Sequence, residues 1–268
     1  MEHPIITLTT DWGYQDFFAG MVKGRLLRDI PGVQIVDIAH NIAKYDKTCA
    51  IFVVKYGCKG FPEGTIHIID VDSAETETES FIVVHAKGQY YIGTDNGIPT
   101  AVFGQDYEQA VRITMFQDSN DSFTFAAYDL FCKVAAKLAS GAALTEVGTP
   151  LDRLRPFTPM LAMPTEKGLR AHVVYTDSYG NAYLDVTYEE FEQYRKGRSF
   201  IVAINYVEVL PITSISESYL DSSDSRISGS VALIVSATRH LQLAAKHDSA
   251  QDMLGLEVNS LIDFTFKG

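Results

Sequence analysis

Three acidic residues in the first half of the sequence follow, or close, short apolar runs. Asp11 comes after the run at 5–9, Asp37 closes a second run and is followed by His40, and Asp72 comes after a third. In α/β sheets, ligands bind beyond the carboxyl ends of the strands, where a carboxylate can hold hydroxyl or cationic groups. Each acid alone also fits a helix cap or a turn. Their recurrence at equivalent places favours a binding site.

Two polar segments further along the chain have turn-forming sequences. Asp-Asn-Gly at 95–97 is a strong turn signal, because Asn-Gly readily adopts positive φ. Ser-Tyr-Gly-Asn at 178–181 suits a hairpin turn, and Asp177 beside it is the less expected residue. Neither segment indicates a function by itself.

The sequence lacks the short motifs of the common cofactor and hydrolase classes. It contains no G-x-G-x-x-G, no G-x-x-x-x-G-K, no H-E-x-x-H and no G-x-S-x-G. Its three cysteines, Cys49, Cys58 and Cys132, match no zinc spacing, and their odd number fits a reducing compartment. We therefore expect no metal, no cofactor and a cytoplasmic location.

The elements that must position these residues alternate between strands and helices in the first half. Apolar runs at 5–9, 33–38, 65–71 and 81–84 predict strands, and helical spacing predicts one helix between the first two runs and another at 129–141. This alternation is typical of an α/β domain with a central sheet.

Four prolines between 150 and 164 interrupt all periodicity and predict a linker. We expect an α/β domain at 1–155, a linker at 156–164 and a second domain at 165–268. The second domain reads as mostly β, with helices only at 188–195 and 249–254.

Composition and charge exclude several classes of partner. The chain has 268 residues, 46% of them hydrophobic, as in ordinary globular proteins. Its formal net charge of −12 repels phosphate backbones and anionic lipid, so we expect neither nucleic acid nor membrane as a partner. No segment approaches the length of about 20 apolar residues that spans a bilayer, and we read no targeting segment.

An ordered set of short motifs resembles one enzyme family. The motifs are Thr-Leu-Thr-Thr-Asp-Trp-Gly (7–13), Gly-Met-Val-Lys-Gly (20–24), Asp-Ile-Ala-His (37–40), Phe-Pro-Glu-Gly-Thr (61–65), Asp-Asn-Gly (95–97) and Asp-Ser-Tyr-Gly-Asn (177–181), with Ser236 after them. In this order they resemble the S-adenosylmethionine hydroxide adenosyltransferases, which are relatives of the fluorinases and chlorinases. The resemblance spans nearly the whole chain.

The resemblance implies a fold, an assembly and a set of binding residues. It implies an N-terminal α/β domain, a β-barrel-like C-terminal domain and a homotrimer with sites between the first domain of one subunit and the second domain of its neighbour. By the same resemblance, Asp11 would hold the ribose hydroxyls, Asp177 and Ser236 the methionine end, and Asn181 the adenine, while Tyr179 would supply stacking surface.

The sequence departs from the family at the groups thought to activate water. The family segment Val-Asp-Pro-Gly-Val-Gly-x-x-Arg-Arg reads Val-Asp-Ser-Ala-Glu-Thr-Glu-Thr-Glu-Ser at 71–80, which keeps Asp72 but places Glu79 at the first arginine position. The family's Thr-Phe-His-Gly-Arg-Asp reads Thr-Phe-Ala-Ala-Tyr-Asp at 124–129, with Ala126 at the histidine and Tyr128 at the adjacent arginine. The acidic run around Glu79 also fits a solvent-exposed loop.

These observations leave two hypotheses open. The chain cleaves S-adenosylmethionine to adenosine and methionine, with Asp72 and a substitute partner such as Glu79 or Tyr128. Alternatively, it binds S-adenosylmethionine or adenosine without turnover, as a sensor or scaffold. A purely structural oligomer is disfavoured, because drift without function should have eroded Asp11, Asp177 and Asn181 as readily as the water-activating pair.

Overall fold

The computed structural model describes residues 3–115, 124–208, 212–216 and 231–267. The chain folds into two compact units, Met1–Thr158 and Pro159–Gly268. The division falls inside the proline-rich stretch 156–164. In the described ranges, no helix is long and apolar enough to cross a membrane.

The first unit contains one mixed sheet of seven strands. They are β1 (Ile5–Thr10), β2 (Gln34–Ala39), β3 (Ile66–Asp70), β4 (Phe81–Ala86), β5 (Gln89–Thr94), β6 (Gln109–Ile113) and β7 (Gly148–Pro150). The order across the sheet is β2-β1-β3-β5-β4-β6-β7. The first four strands in this order are mutually parallel, and the other three pair antiparallel. The carboxyl ends of β1 and β3 are therefore neighbours at one edge of the sheet.

Helices cover both faces of this sheet, because its strands bury side chains on both sides. The helices are α1 (Phe18–Asp29), α2 (Lys47–Gly57), α3 (Ile98–Phe103) and α4 (Cys132–Ala139), with a π-helical turn at Ala127–Phe131 and a short 3₁₀ turn at Leu144–Glu146. One core lies between the sheet and α1 with α4, and the other between the sheet and α2 with α3. The predicted α/β fold is confirmed.

Helix α1 buries fewer apolar residues than its spacing predicts. Val22 and Leu26 are fully buried against the sheet. Phe17 and Leu27, which share the apolar pattern, are 66% and 62% exposed. The helix was therefore predicted correctly. Its apolar residues, however, cover more of the helix surface than the part that packs against the rest of the first unit.

In its described residues, the second unit is one curled, half-barrel sheet with two short helices. Its strands are β8 (Met163–Pro164), β9 (Gly168–Thr176), β10 (Ala182–Thr187), β11 (Ser199–Ile204), β12 (Val207–Glu208), β13 (Ile215–Ser216), β14 (Val231–Val235), β15 (His240–Ala245) and β16 (Leu261–Lys267). The main path is β12-β11-β16-β9-β10-β15-β14-β13, with β8 beside β9. Among the described strands of this unit, only β13 and β14 pair parallel. The predicted mostly β architecture is confirmed.

Helix α5 (Tyr188–Arg195) shows why its prediction was accurate. Thr187 and Glu190 form a reciprocal capping box, with the Thr187 backbone N–H donating to Glu190 Oε2 at 2.8 Å. Phe191 is fully buried and packs edge-on against Phe200 and Phe264. Helix α6 (Ala250–Leu254) is shorter and begins at a Ser249 cap.

Candidate functional site

Asp11 and Asp72 meet at the carboxyl edge of the first unit's sheet. Asp11 follows β1 and is 9% exposed, and Asp72 lies two residues beyond β3. Asp11 Oδ2 accepts the backbone N–H of Tyr45 at 2.9 Å and that of Asp72 at 3.5 Å. The structure therefore brings together two of the three acids that the sequence placed at the ends of apolar runs.

Asp72 has an unusual backbone conformation that the Asp-Asn-Gly turn supports. Its φ is +48°, in the left-handed region, which costs roughly 1–2 kcal/mol for a non-glycine residue. The Asn96 side-chain amide donates to the carbonyl oxygens of Val71 at 3.1 Å and Asp72 at 3.0 Å. Gly97, at φ +96°, then starts α3. This turn therefore holds Asp72 in place.

Two lysines that sequence reasoning missed contact these acids from the segment between β2 and the start of α2. The Lys44 ammonium donates to the backbone carbonyl of Asp11. The Lys47 Nζ lies 3.1 Å from Asp72 Oδ2. The sequence signal that could have located Lys47 was Asp46. Its side chain caps α2 by accepting the backbone N–H of Cys49 at 3.0 Å, so Lys47 is the first residue of the helix.

Asp70 is a buried acid beneath this pair. Burial raises the pKa of Asp70 to about 6, although contacts with Ser73 and Trp12 oppose the shift, and the nearby Asp11 charge adds to it. The Trp12 indole N–H donates to Asp70 Oδ2 at 2.8 Å. The sequence reading did not single out Asp70, because it lies inside an apolar strand.

Asp37, which lies within β2, and His40, which directly follows that strand, form a separate cluster. The Lys23 ammonium and the Tyr14 hydroxyl donate to Asp37 Oδ2 at 2.6 and 2.9 Å. His40 is buried, with Nε2 3.1 Å from Asp37 Oδ1 but outside hydrogen-bond geometry, and with Nδ1 2.7 Å from Thr10 Oγ1. Burial would raise the pKa of Asp37, but its contacts with Lys23, His40 and Tyr14 lower it below the ordinary value. This carboxylate is therefore engaged by its neighbours.

Glu79, at the family's arginine position, is paired with another residue's guanidinium. Its Oε1 lies 3.0 Å from Arg155 Nη1, which also donates to Thr78 Oγ1 at 3.1 Å. The Arg155 backbone N–H donates to both carboxylate oxygens of Asp95, at 3.0 and 3.1 Å. Glu77 is exposed, as expected for a loop, whereas the Glu79 side chain is only 18% exposed.

Tyr128 lies beside α1. The Arg25 guanidinium sits 5.3 Å from the centre of the Tyr128 ring, and the ring packs against the core shared by α1 and α4. Ala126, at the family's histidine position, is buried. Among the described residues, no contact joins Tyr128 to Asp72 or Glu79, so the structure does not bring together the three predicted catalytic residues.

In the second unit, Asp177 organises the hairpin loop between β9 and β10. Its Oδ1 accepts the backbone N–H groups of Tyr179 at 2.9 Å and Asn181 at 3.0 Å. Its Oδ2 accepts from the Asn181 amide at 2.9 Å and from the Tyr183 hydroxyl at 3.4 Å. Asn181 is buried, whereas Tyr179 is 78% exposed. Three of the four predicted binding residues of this unit thus share one loop.

Ser236, the fourth, lies in the turn between β14 and β15. Its hydroxyl is 2.9 Å from Thr238 Oγ1, and its backbone N–H donates to the His240 carbonyl at 2.9 Å. His240 pairs with Thr187 at the far end of β10, whereas Asn181 precedes the near end. A ligand that contacts Asn181 and Ser236 of the same chain must therefore extend along this strand.

Two family models match the chain. The N-terminal domain of the SAM hydroxide adenosyltransferases matches residues 6–148, and the C-terminal domain of the same family matches residues 171–263. SAM is S-adenosylmethionine. Asp11 and Asp72 lie in the first match, and Asp177, Asn181 and Ser236 lie in the second.

Proteins of named activity are similar to the chain over most of its length. An (R)-S-adenosyl-L-methionine hydrolase from Salinispora arenicola is 30% identical over 191 residues, which cover 69% of this chain and 72% of the relative. The hydrolase of the same name from Methanocaldococcus jannaschii is 23% identical over 98% of this chain and 96% of its own length. A fluorinase from Nocardia brasiliensis is 25% identical over 91% and 90%.

A solved structure shares the fold. The crystal structure of an uncharacterized conserved protein from Thermotoga maritima superposes with a TM-score of 0.84 at 23% identity, and covers 97% of this chain and 99% of its own. At this identity the likeness supports the fold alone.

The two family models together match well over half of the sequence, and the chain therefore belongs to the SAM hydroxide adenosyltransferase family.

Proposed function

We propose that this protein cleaves S-adenosylmethionine to adenosine and methionine by displacement at the ribose 5′ carbon. The observation that carries the proposal is the adjoining pair Asp11 and Asp72, joined by the 3.5 Å contact from the Asp72 N–H to Asp11 Oδ2. In this proposal the Asp11 carboxylate accepts the ribose hydroxyls, and Asp72, as its neighbour, would act at the 5′ carbon of the same ribose.

The displacement needs water to lose a proton and methionine to leave. The new bond joins the water oxygen to the 5′ carbon, the bond from that carbon to the sulfonium breaks, and its electron pair stays on sulfur. The water proton passes to a base, for which Asp72 is proposed. Because a hydroxide attacking a cation cancels charge, a fixed site that replaces bulk water favours the transition state.

The binding roles of the second unit are part of the same proposal. Asn181 would contact the adenine, Tyr179 would stack, and Asp177 and Ser236 would hold the methionine end. The exposed Tyr179 ring offers free surface for stacking. Asp177 already accepts three hydrogen bonds from its own loop and one from Tyr183 in β10, so a ligand ammonium would compete with the longest of them, from Tyr183 at 3.4 Å.

The roles of Glu79 and Tyr128 as substitute partners of Asp72 stay predictions. The Glu79 carboxylate is held by Arg155, and Tyr128 contacts Arg25. If either group assists Asp72, then Glu79→Gln or Tyr128→Phe should lower kcat while the Kd for S-adenosylmethionine changes by less than about threefold. An unchanged kcat in both variants would exclude these two groups.

Binding without turnover is the second candidate function. Two observations favour it: Ala126 leaves no imidazole at the family's histidine position, and Glu79 with Arg155 forms a neutral pair where the family has an arginine. A protein of this kind would act as a sensor or scaffold for S-adenosylmethionine or adenosine.

Calorimetry followed by product chromatography separates the two functions. S-adenosylmethionine is titrated into the wild-type protein, Asp72→Asn and, as a matched control, Asp106→Asn, whose side chain is 83% exposed. The proposal expects adenosine and methionine in equal amounts from the wild type and the control, and a loss of at least about 100-fold in Asp72→Asn. Binding with no adenosine would establish the second function, and no binding would refute both.

The homotrimer and the cytoplasmic location also stay proposals from the resemblance. Light scattering coupled to size exclusion should give three times the chain mass of 29.7 kDa. A monomer mass at micromolar concentration would contradict the trimer.

A further inference from the structure

Lys47 is the residue whose charge contacts the proposed base directly. Its ammonium lies 3.1 Å from Asp72 Oδ2, and the two side chains are 32% and 34% exposed. Asp72 in turn reaches Asp11 through its backbone N–H. Lys47 is therefore linked through Asp72 to Asp11, the carboxylate proposed to hold the ribose.

The position of Lys47 is unfavourable for its helix. It is the first residue of α2, where the helix dipole favours negative charge and disfavours a cation. Asp46 already caps this end. A lysine at this point is therefore explained by the ion pair with Asp72 better than by helix stability.

The other cation near position 79 is already engaged. The Arg155 Nη1 group contacts Glu79 and Thr78, and its backbone N–H contacts Asp95. Lys44 donates to a backbone carbonyl, that of Asp11. Among the described residues, Lys47 is the cation that contacts the Asp72 carboxylate.

We propose that Lys47 supplies the positive charge that position 79 lacks, as a positioning residue that acts through Asp72. The proposal rests on the proposed cleavage of S-adenosylmethionine. The ammonium orients the Asp72 carboxylate toward the attacking water, because a charge-assisted contact at 3.1 Å holds the two side chains in one geometry.

The same charge has an opposite effect on substrate binding. S-adenosylmethionine carries a sulfonium cation, which Lys47 repels, whereas adenosine is neutral. Removing the ammonium should therefore tighten the binding of S-adenosylmethionine by about 3- to 10-fold in this half-exposed setting, and should leave the binding of adenosine unchanged. It should also lower kcat by about 100-fold, because a catalytic group displaced by about 1 Å can cost that much.

The test compares Lys47→Met and Lys47→Arg with Lys55→Met, a matched control at the other end of α2 where the lysine is exposed. Calorimetry gives the Kd for S-adenosylmethionine and for adenosine, and chromatography gives kcat. We expect Lys47→Met to bind S-adenosylmethionine more tightly and turn it over more slowly. We expect Lys47→Arg to recover at least a tenth of the wild-type kcat and Lys55→Met to match the wild type.

The double variant Lys47→Met with Asp72→Asn tests whether the lysine acts through Asp72. If it does, the loss in kcat should be no larger than that of Asp72→Asn alone. The proposal would be overturned if the losses in kcat of the two single variants multiplied in the double variant. It would also be overturned if Lys47→Met weakened the binding of S-adenosylmethionine and of adenosine equally. If the wild type makes no adenosine, the proposed function fails. Tighter binding of S-adenosylmethionine with unchanged binding of adenosine in Lys47→Met would then still show that the lysine charge faces the bound ligand.

Discussion

Replacing Asp70 with asparagine should stabilise the protein at neutral pH. Asp70 is 6% exposed, and burial raises its pKa from 3.8 to about 6. At pH 7 the ionised Asp70 carboxylate therefore has a higher free energy in the folded protein than in the unfolded chain. Asparagine has nearly the same shape, and its oxygen can still accept the hydrogen bond from Trp12.

The magnitude follows from the difference between the two pKa values. A rise from 3.8 to about 6 corresponds to a cost of about 3 kcal/mol at pH 7, since each pKa unit is worth about 1.4 kcal/mol. Between these two pKa values, the Asp70 carboxyl binds more protons in the folded state than in the unfolded state. Its ionisation therefore makes the wild type less stable as the pH rises from 4 to 6. Allowing for a weaker bond to Trp12, we expect Asp70→Asn to gain about 2 kcal/mol at pH 7 and little at pH 4.

Urea unfolding followed by Trp12 fluorescence measures this difference, because Trp12 is the only tryptophan and contacts Asp70. The wild type, Asp70→Asn and the exposed control Asp106→Asn are compared at pH 4 and pH 7. A gain in stability of equal size at both pH values would show that the gain does not come from the ionisation of Asp70. A loss of stability at pH 7 would refute the reasoning altogether.

Three further substitutions test the packing of the second unit by urea unfolding. Gly180→Ala places a Cβ 2.1 Å from Ser249 Oγ at a φ of +76°, so it should cost about 2–4 kcal/mol, and more than Gly197→Ala, which has φ +74° but open space around it. Equal losses would argue against the clash. Phe191→Ala should cost about 3–5 kcal/mol because the ring is fully buried, and a loss below 1 kcal/mol would contradict that packing. Asp177→Ala should destabilise the hairpin loop by about 1–3 kcal/mol, with Asp177→Asn in between, and unchanged stability would show that its four hydrogen bonds are weak.

The sequence predicted the elements whose signals are local. Helix α5 was predicted with its observed bounds because a capping box and an aromatic core residue lie within its own few residues. The strands β1 and β2 were found to within a residue or so at each end, since parallel strands are short apolar runs. The last three residues of the π-helical turn at Ala127–Phe131 were included in the helix predicted at 129–141, because apolar spacing does not distinguish a π-helical turn from an α-helix.

The candidate site was predicted in part, because some of its contacts join residues far apart in the sequence. Asp11 and Asp72 were found from their places after apolar runs, and the sheet order makes them neighbours. Lys47 and Arg155 were missed, since each reaches its acid from a segment that carries no chemical motif. The sequence showed a glutamate, Glu79, where the family has an arginine, but it could not show that Glu79 pairs with the guanidinium of Arg155.

Oxygen isotope transfer tests the central claim most directly. The wild-type protein is incubated with S-adenosylmethionine in H₂¹⁸O, and the adenosine is analysed by mass spectrometry. Attack of water on the ribose 5′ carbon predicts adenosine with one ¹⁸O at the 5′ hydroxyl, formed at least about 100-fold more slowly by Asp72→Asn. Adenosine without the label, or no adenosine at any protein concentration, would contradict the account.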